Sequence, residues 1–216
     1  TAAPLLVGKT ISVKATVLPG NATNKELGIA SLDSSVATVT EDGVVTAIST
    51  GTTYIVFTAK DGSGVSKKCF IKVCNDTSTA KVKFTATDFA YNEAGNTPAP
   101  IVTFDGTVLK KNTDYTVKYE NNVNPGTATV TVTGIGKYRG TAKGYFRVNP
   151  STTKFTSVLN GSSYIYLEWN KSTGANGYYI YRSDNGGAYN KIKTITSGST
   201  LVYYDRDNLS NGVRYK

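Results

Sequence analysis

The side chains that carry most enzyme chemistry are scarce in this sequence. Histidine is absent from all 216 residues, which removes His-based triads, imidazole general bases and most zinc sites. Cysteine occurs twice, at Cys69 and Cys74 in CFIKVC. On a strand, positions five apart point to opposite faces about 16 Å apart, whereas a disulfide needs Cα atoms within about 7 Å. No mutual bridge is expected, and Cys69 reads as a small buried side chain. Carboxylates cluster only weakly. Asp205-Arg206-Asp207-Asn208 with Ser210 and Gly212 has a faint likeness to a calcium loop but lacks its distal glutamate, and Asp114 and the asparagines at 121, 122 and 124 suit turn duty better than cation binding. No GxxxxGK[ST] or GxGxxG phosphate loop occurs between a strand and a helix. The expectation is no catalysis, no metal and no cofactor.

Tyrosine is the one chemical excess, with fifteen in the chain. In the segment 164–169, Ile165, Leu167 and Trp169 share one parity, so Tyr164 and Tyr166 face the other way with Glu168. In 178–182, Tyr178 and Ile180 read as core, which turns Tyr179 and Tyr181 outward. Planar outward aromatics stack on sugar rings or anchor a protein partner. Tyrosine also forms strands well and tolerates half-exposure, so plain sheet structure competes with recognition at all four positions. Tyr179, Tyr181, Tyr164 and Tyr166 are the candidate ligand-binding residues, and Trp169, Leu209 and Tyr215 the structural ones.

The elements that must position these residues are short strands. Residues 114–134 give the clearest case: Tyr115, Val117 and Tyr119 alternate with polar residues, Asn121, Asn122, Asn124, Pro125 and Gly126 supply a turn, and Ala128, Val130 and Val132 alternate with threonines. That is a hairpin buried on one face, which needs a second sheet to close a core. Similar runs recur at 10–17, 54–59, 69–73, 141–148, 188–195 and 200–204. No stretch carries a helical apolar period. The fold class expected is all-β, as three tandem small β-sandwich modules at 1–76, 77–150 and 151–216, with polar junctions near Asn75–Thr79 and Pro150–Thr153.

The net charge is +9. Lys and Arg outnumber Asp and Glu by seven to six in 1–76, nine to five in 77–150 and eight to four in 151–216. No basic run exceeds a Lys-Lys pair, so no nucleic-acid footprint is expected, and scattered lysines on a solvated β surface suffice. A sharper reading is mild attraction to an anionic polymer such as a cell wall. No apolar run approaches the roughly 20 residues of a membrane helix, and any signal peptide or anchor would lie outside these residues.

Three stretches resemble known families. VGKTISVKATVLPGNATN, SLDSSVATVTEDGVVTAISTGTTYIVFTAKDGSG and KKCFIKV resemble the bacterial Ig-like domain group 2 family, with Ile29 where that family usually has tryptophan. LKKNTDYTVKYENNVNPGTATVTVTGIGKYRGT resembles the repeat modules of large surface proteins of Gram-positive Firmicutes, which leaves an Ig-like sandwich or another small β fold such as a β-grasp open for 77–150. LEWNKSTGANGYYIYRSDNGGAYNKIKTI resembles a fibronectin type III domain. That last resemblance implies Trp169 as core tryptophan and Leu209, Gly212 and Tyr215 as a tyrosine corner, whose hydroxyl ties back to nearby backbone. It also implies that residues 151–216 lack most of strand F and all of strand G, as in a fragment of a longer protein.

These resemblances imply an extracellular, cell-surface or secreted bacterial protein. The expected role of these residues is a non-catalytic structural stalk and adhesion module, with carbohydrate-binding or spacer modules of a secreted polysaccharide-degrading enzyme as the alternative. The partners expected are polysaccharide, cell wall or a host surface protein, the chain itself being a monomer without nucleic acid or membrane insertion.

Overall fold

A computed structural model describes residues 3–216. Regular structure among them is β throughout apart from one 3₁₀ turn at Thr77–Thr79, as the alternation predicts. By compactness the chain divides into two units, one of residues 1–83, 100–118 and 130–144 and the other of residues 84–99, 119–129 and 145–216.

The first unit opens with β1 (Leu5–Leu6), β2 (Thr10–Ser12), β3 (Leu27–Ser31), β4 (Ala37–Val39), β5 (Val44–Ala47), β6 (Gly51–Ala59) and β7 (Ser66–Asp76). One sheet is ordered β1-β7-β6-β3 and a second β2-β5-β4. Buried Val36, Ala37, Val45, Ala47, Ile55, Phe57, Ile71 and Val73 form its core, and half-buried Leu27, Ile29 and Val39 pack against them. Strand parity places Thr53, Ile55 and Phe57 inward and Tyr54 outward. Burying a residue such as Ile55 contributes roughly 1.5–3 kcal/mol, which is why the register of β6 is held: a slip of one residue would expose all three inward side chains.

The strand expected over 10–17 ends at Ser12. Val13 still donates its N–H to Gly43 O at 2.8 Å, but there the partner β5 gives way to the Thr40–Gly43 turn and the ladder has nothing further to pair with. Gly43 closes that turn at φ 77, and a Cβ on it would sit 2.2 Å from Val13 O. Cys69 is half-buried and Cys74 fully buried, the reverse of the expectation that Cys69 is the buried thiol. Cys69 lies near the open start of β7. Cys74 lies where β1 pairs in parallel with β7, Leu6 opposite Cys74, and its thiol faces Gly136 O at 4.0 Å.

The same unit carries β8 (Lys81–Lys83), β10 (Ile101–Phe104) and β11 (Thr107–Val108) in a sheet ordered β11-β10-β8, with β9 (Asp88–Ala90) intervening in sequence. The stretch expected to be a polar junction is tied down. Asp76 accepts from Ser78 N–H at 2.9 Å, and fully buried Thr77 donates its hydroxyl to Arg139 O at 2.8 Å.

The predicted central hairpin is β12 (Tyr115–Glu120) and β13 (Gly126–Gly134), followed by β14 (Tyr138–Arg139) and β15 (Thr141–Asn149), with sheet order β12-β13-β15-β9. Asp114 serves the turn before it, accepting from Lys110 N–H at 2.8 Å. In the first unit, Phe104 and Tyr138 meet edge to face at 5.7 Å. In the second, Phe84 and Phe89 both meet Phe146 edge to face, at 5.7 and 5.2 Å.

The second unit ends with β16 (Phe155–Asn160), β17 (Ile165–Trp169), β18 (Tyr178–Arg182), β19 (Asn190–Ile195) and β20 (Val202–Asp205). They make a sheet ordered β16-β17-β20 and a two-stranded sheet β18-β19.

Candidate recognition surface

The β18-β19 pair positions the first two candidates. Gly177 leads into β18 so closely that a Cβ there would lie 2.1 Å from Ile195 O. From that start Tyr178 turns inward, its ring meeting buried Trp169 edge to face at 5.3 Å. The Tyr178 hydroxyl donates to Gly198 O at 3.1 Å and accepts from Ser172 N–H at 3.1 Å. Ile180 is buried two residues on. With those two facing the core, Tyr179 is 64% exposed and Tyr181 51% exposed. Lys191, opposite Tyr181 across the ladder, holds its ammonium 4.7 Å from the Tyr179 ring centroid. Two flat rings and a cation therefore share the solvent face of one short strand pair, with Tyr189 exposed just before β19.

The other two candidates sit differently. Tyr164 and Tyr166 are half-buried, because both pack on Tyr204 of the neighbouring β20, with centroids 5.4 and 5.1 Å away. Arg206 lies over the rings of Tyr164 and Tyr204 at 5.4 and 5.5 Å. Tyr166 donates to Glu168 Oε2 at 3.2 Å. Desolvation, with the Glu168 carboxylate adding to it, holds the Tyr166 hydroxyl above its ordinary pKa. These rings pack largely on one another, so of the four candidates Tyr179 and Tyr181 present the more exposed aromatic surface.

Behind the rings, Asp205 is buried and accepts from Arg182 Nη1 at 2.9 Å. Arg182 also donates to Asp184 Oδ1 at 2.9 Å and to Asp207 O at 2.8 Å. Desolvation works against its charge, but the bonds to Asp205 and Asp184 outweigh that and raise its pKa. The carboxylate in the calcium-loop-like stretch is thus engaged by a guanidinium. Arg182 in turn lies 4.9 Å above the Tyr215 ring, and the Tyr215 hydroxyl accepts from Ser210 N–H at 2.7 Å. Leu209 is half-buried. Trp169 meets Phe155 edge to face at 6.4 Å, and its buried indole N–H has no hydrogen-bond partner. Among the described residues no three His, Cys, Asp or Glu side chains converge.

Lys191, Tyr204 and Arg206 escape a reading of single strands. Alternation says which way a side chain points but not which residue lies across the ladder: Lys191 and Tyr204 act through cross-strand register, and Arg206 follows directly on β20. The pairing of Tyr166 with Tyr204 becomes visible only once β17 and β20 are known to be neighbours.

Residues 1–69 match the family model of the bacterial Ig-like domain (group 2), a non-catalytic Ig-like module. An uncharacterized protein of Clostridium acetobutylicum is 36% identical over 73 residues, which is 34% of this chain and 18% of that protein. The amylopullulanase of Thermoanaerobacterium saccharolyticum is 36% identical over 67 residues, 31% of this chain and 5% of that enzyme. The chain thus spans less than a fifth of these relatives. Among solved structures, the S-layer protein rSbsC covers 91% of this chain and 32% of its own at 18% identity and a TM-score of 0.23, too loose a superposition to bear on fold or function.

Proposed function

We propose that these residues are a non-catalytic segment of a secreted or cell-surface bacterial protein, in which compact β structures form a stalk and the β18-β19 face adheres to an extracellular polymer or protein. The observation that carries the reading is the pair Tyr179 and Tyr181, turned outward on β18 by the inward-facing Tyr178 and the buried Ile180 and flanked by Lys191. Exposed aromatics cost free energy in water and recover it by covering a sugar ring or an apolar partner surface. The match of residues 1–69 to a bacterial Ig-like domain supports the extracellular setting. The partners proposed are polysaccharide, cell wall or a host surface protein, with the chain acting as a monomer.

A second reading is favoured by one comparison. The amylopullulanases matched over 67 residues are named for a polysaccharide-degrading activity, so these residues would equally serve as carbohydrate-binding or spacer modules of a secreted hydrolase whose catalytic domain lies elsewhere. A retention assay tests both readings. The purified chain and its Tyr179→Ala/Tyr181→Ala variant are mixed with insoluble starch, bacterial walls and immobilised host matrix proteins. Retention on walls or matrix, lost in the variant, supports adhesion. Retention on starch, lost in the variant, supports the hydrolase setting. If none of the supports retains the chain, or the variant is retained equally, the tyrosine face is not a recognition surface.

A further inference from the structure

The outer face of the first sheet carries a feature that the stalk does not use. Tyr54 on β6 lies directly opposite Phe70 on β7, and their rings meet edge to face at 5.5 Å. Both stand in solvent, 43% and 50% exposed. Leu32, just past β3, donates its N–H to Tyr54 O at 2.9 Å and is also exposed, so an apolar row crosses three strands. Along β7 the parity that exposes Phe70 also turns Lys68 and Lys72 to this face, each about 7 Å from it along the strand. Lys68 reaches to 6.0 Å from the Tyr54 ring centroid.

Charge on this face has one sign. By strand parity the lysines turned to this face are Lys68 and Lys72, Lys67 pointing the other way, and Asp76, at the far end of β7, accepts from Ser78 N–H. Asp33, beside Leu32, is turned to its own loop, where the hydroxyl and N–H of Ser35 donate to it at 2.6 and 3.0 Å. Glu26 and Asp61 lie beyond the far ends of β3 and β6. The face is cationic, with Phe70 between Lys68 and Lys72 and the Tyr54 ring beside it.

We propose that this face binds an acidic polysaccharide, the rings of Tyr54 and Phe70 covering sugar C–H surface while Lys68 and Lys72 meet the carboxylate or phosphate groups. The aromatic row separates this from attraction between scattered lysines and any polyanion, since charge alone needs no rings. Carboxylate-bearing and phosphate-bearing sugar polymers offer the same chemistry here.

Affinity electrophoresis of the whole chain tests the proposal, in gels containing polygalacturonate, wall teichoic acid, neutral dextran or duplex DNA, alongside flotation with phosphatidylglycerol vesicles. Retardation is expected from one or both acidic sugar polymers and not from dextran; which of the two acts identifies the anion. Tyr54→Thr/Phe70→Thr, which keeps strand-forming residues, should weaken it about tenfold or more. Lys68→Gln/Lys72→Gln, which leaves the rings untouched, should weaken it and flatten its salt dependence. Val108→Thr, an exposed apolar change on β11 outside both aromatic faces, should leave it unchanged. The proposal fails if neither acidic polymer retards the chain, if dextran does so equally, if DNA or vesicles bind instead, or if the threonine variant binds as the parent does.

Discussion

Tyr215 uses its hydroxyl to accept from Ser210 N–H, five residues back in the chain, while its ring supports Arg182. Removing the hydroxyl alone, in Tyr215→Phe, should cost about 1 kcal/mol in urea unfolding of the second unit without altering the Tyr179 and Tyr181 face. The Arg182–Asp205 pair is more demanding. Asp205→Ala would leave the guanidinium without its buried partner and should destabilise the same unit by roughly 3 kcal/mol, read as a lower urea midpoint. In the first unit, Asp33 and Asp61 each accept from the hydroxyl and N–H of a serine two residues on, and these bonds hold both carboxyls below the ordinary value of 3.8. A depressed native pKa stabilises the fold above the ordinary value, and that stabilisation is lost as pH falls through the native one. The melting temperature should therefore drop on acidification below about pH 4, and Asp33→Asn/Asp61→Asn should flatten the profile. Alternation made Tyr179 and Tyr181 legible in the sequence. The crowding of Tyr164 and Tyr166 was not legible, because it depends on Tyr204 and Arg206, which lie far along the chain.

At the level of elements, alternation located most strands but not their lengths or neighbours. β2 stops where β5 turns away, a limit set by the partner and invisible in residues 10–17 themselves. The parallel pairings of β1 and β14 with β7, and of β9 with β15, carry no local signal, since no tight turn joins a parallel pair. Burial of Cys74 follows from one of them. The approach of β18 to β19 turns on Gly177, where a Cβ would overlap Ile195 O. Gly177→Ala should push the strands apart at a cost of roughly 1–3 kcal/mol. Because that change displaces the start of the strand bearing Tyr179 and Tyr181, retention by their partner should weaken along with stability.

For the molecule as a whole, composition already excluded histidine chemistry and pointed to all-β structure, and the regular structure of residues 3–216 is β apart from the single turn at Thr77–Thr79. What composition could not convey is which aromatic rings are exposed: Tyr54 and Phe70 on one strand pair and Tyr179 and Tyr181 on another stand in solvent, whereas Tyr115 and Tyr138 are buried. The central claim, that the β18-β19 face is a recognition surface on a non-catalytic support, is tested most directly by hydroxyl-radical footprinting of the chain alone and mixed with bacterial walls. Tyr179 and Tyr181 should lose reactivity in the mixture, while Tyr166 and Tyr204, on the other sheet, keep theirs. Equal labelling of Tyr179 and Tyr181 with and without walls, under conditions where the chain is retained, would contradict it and leave these residues as a stalk alone.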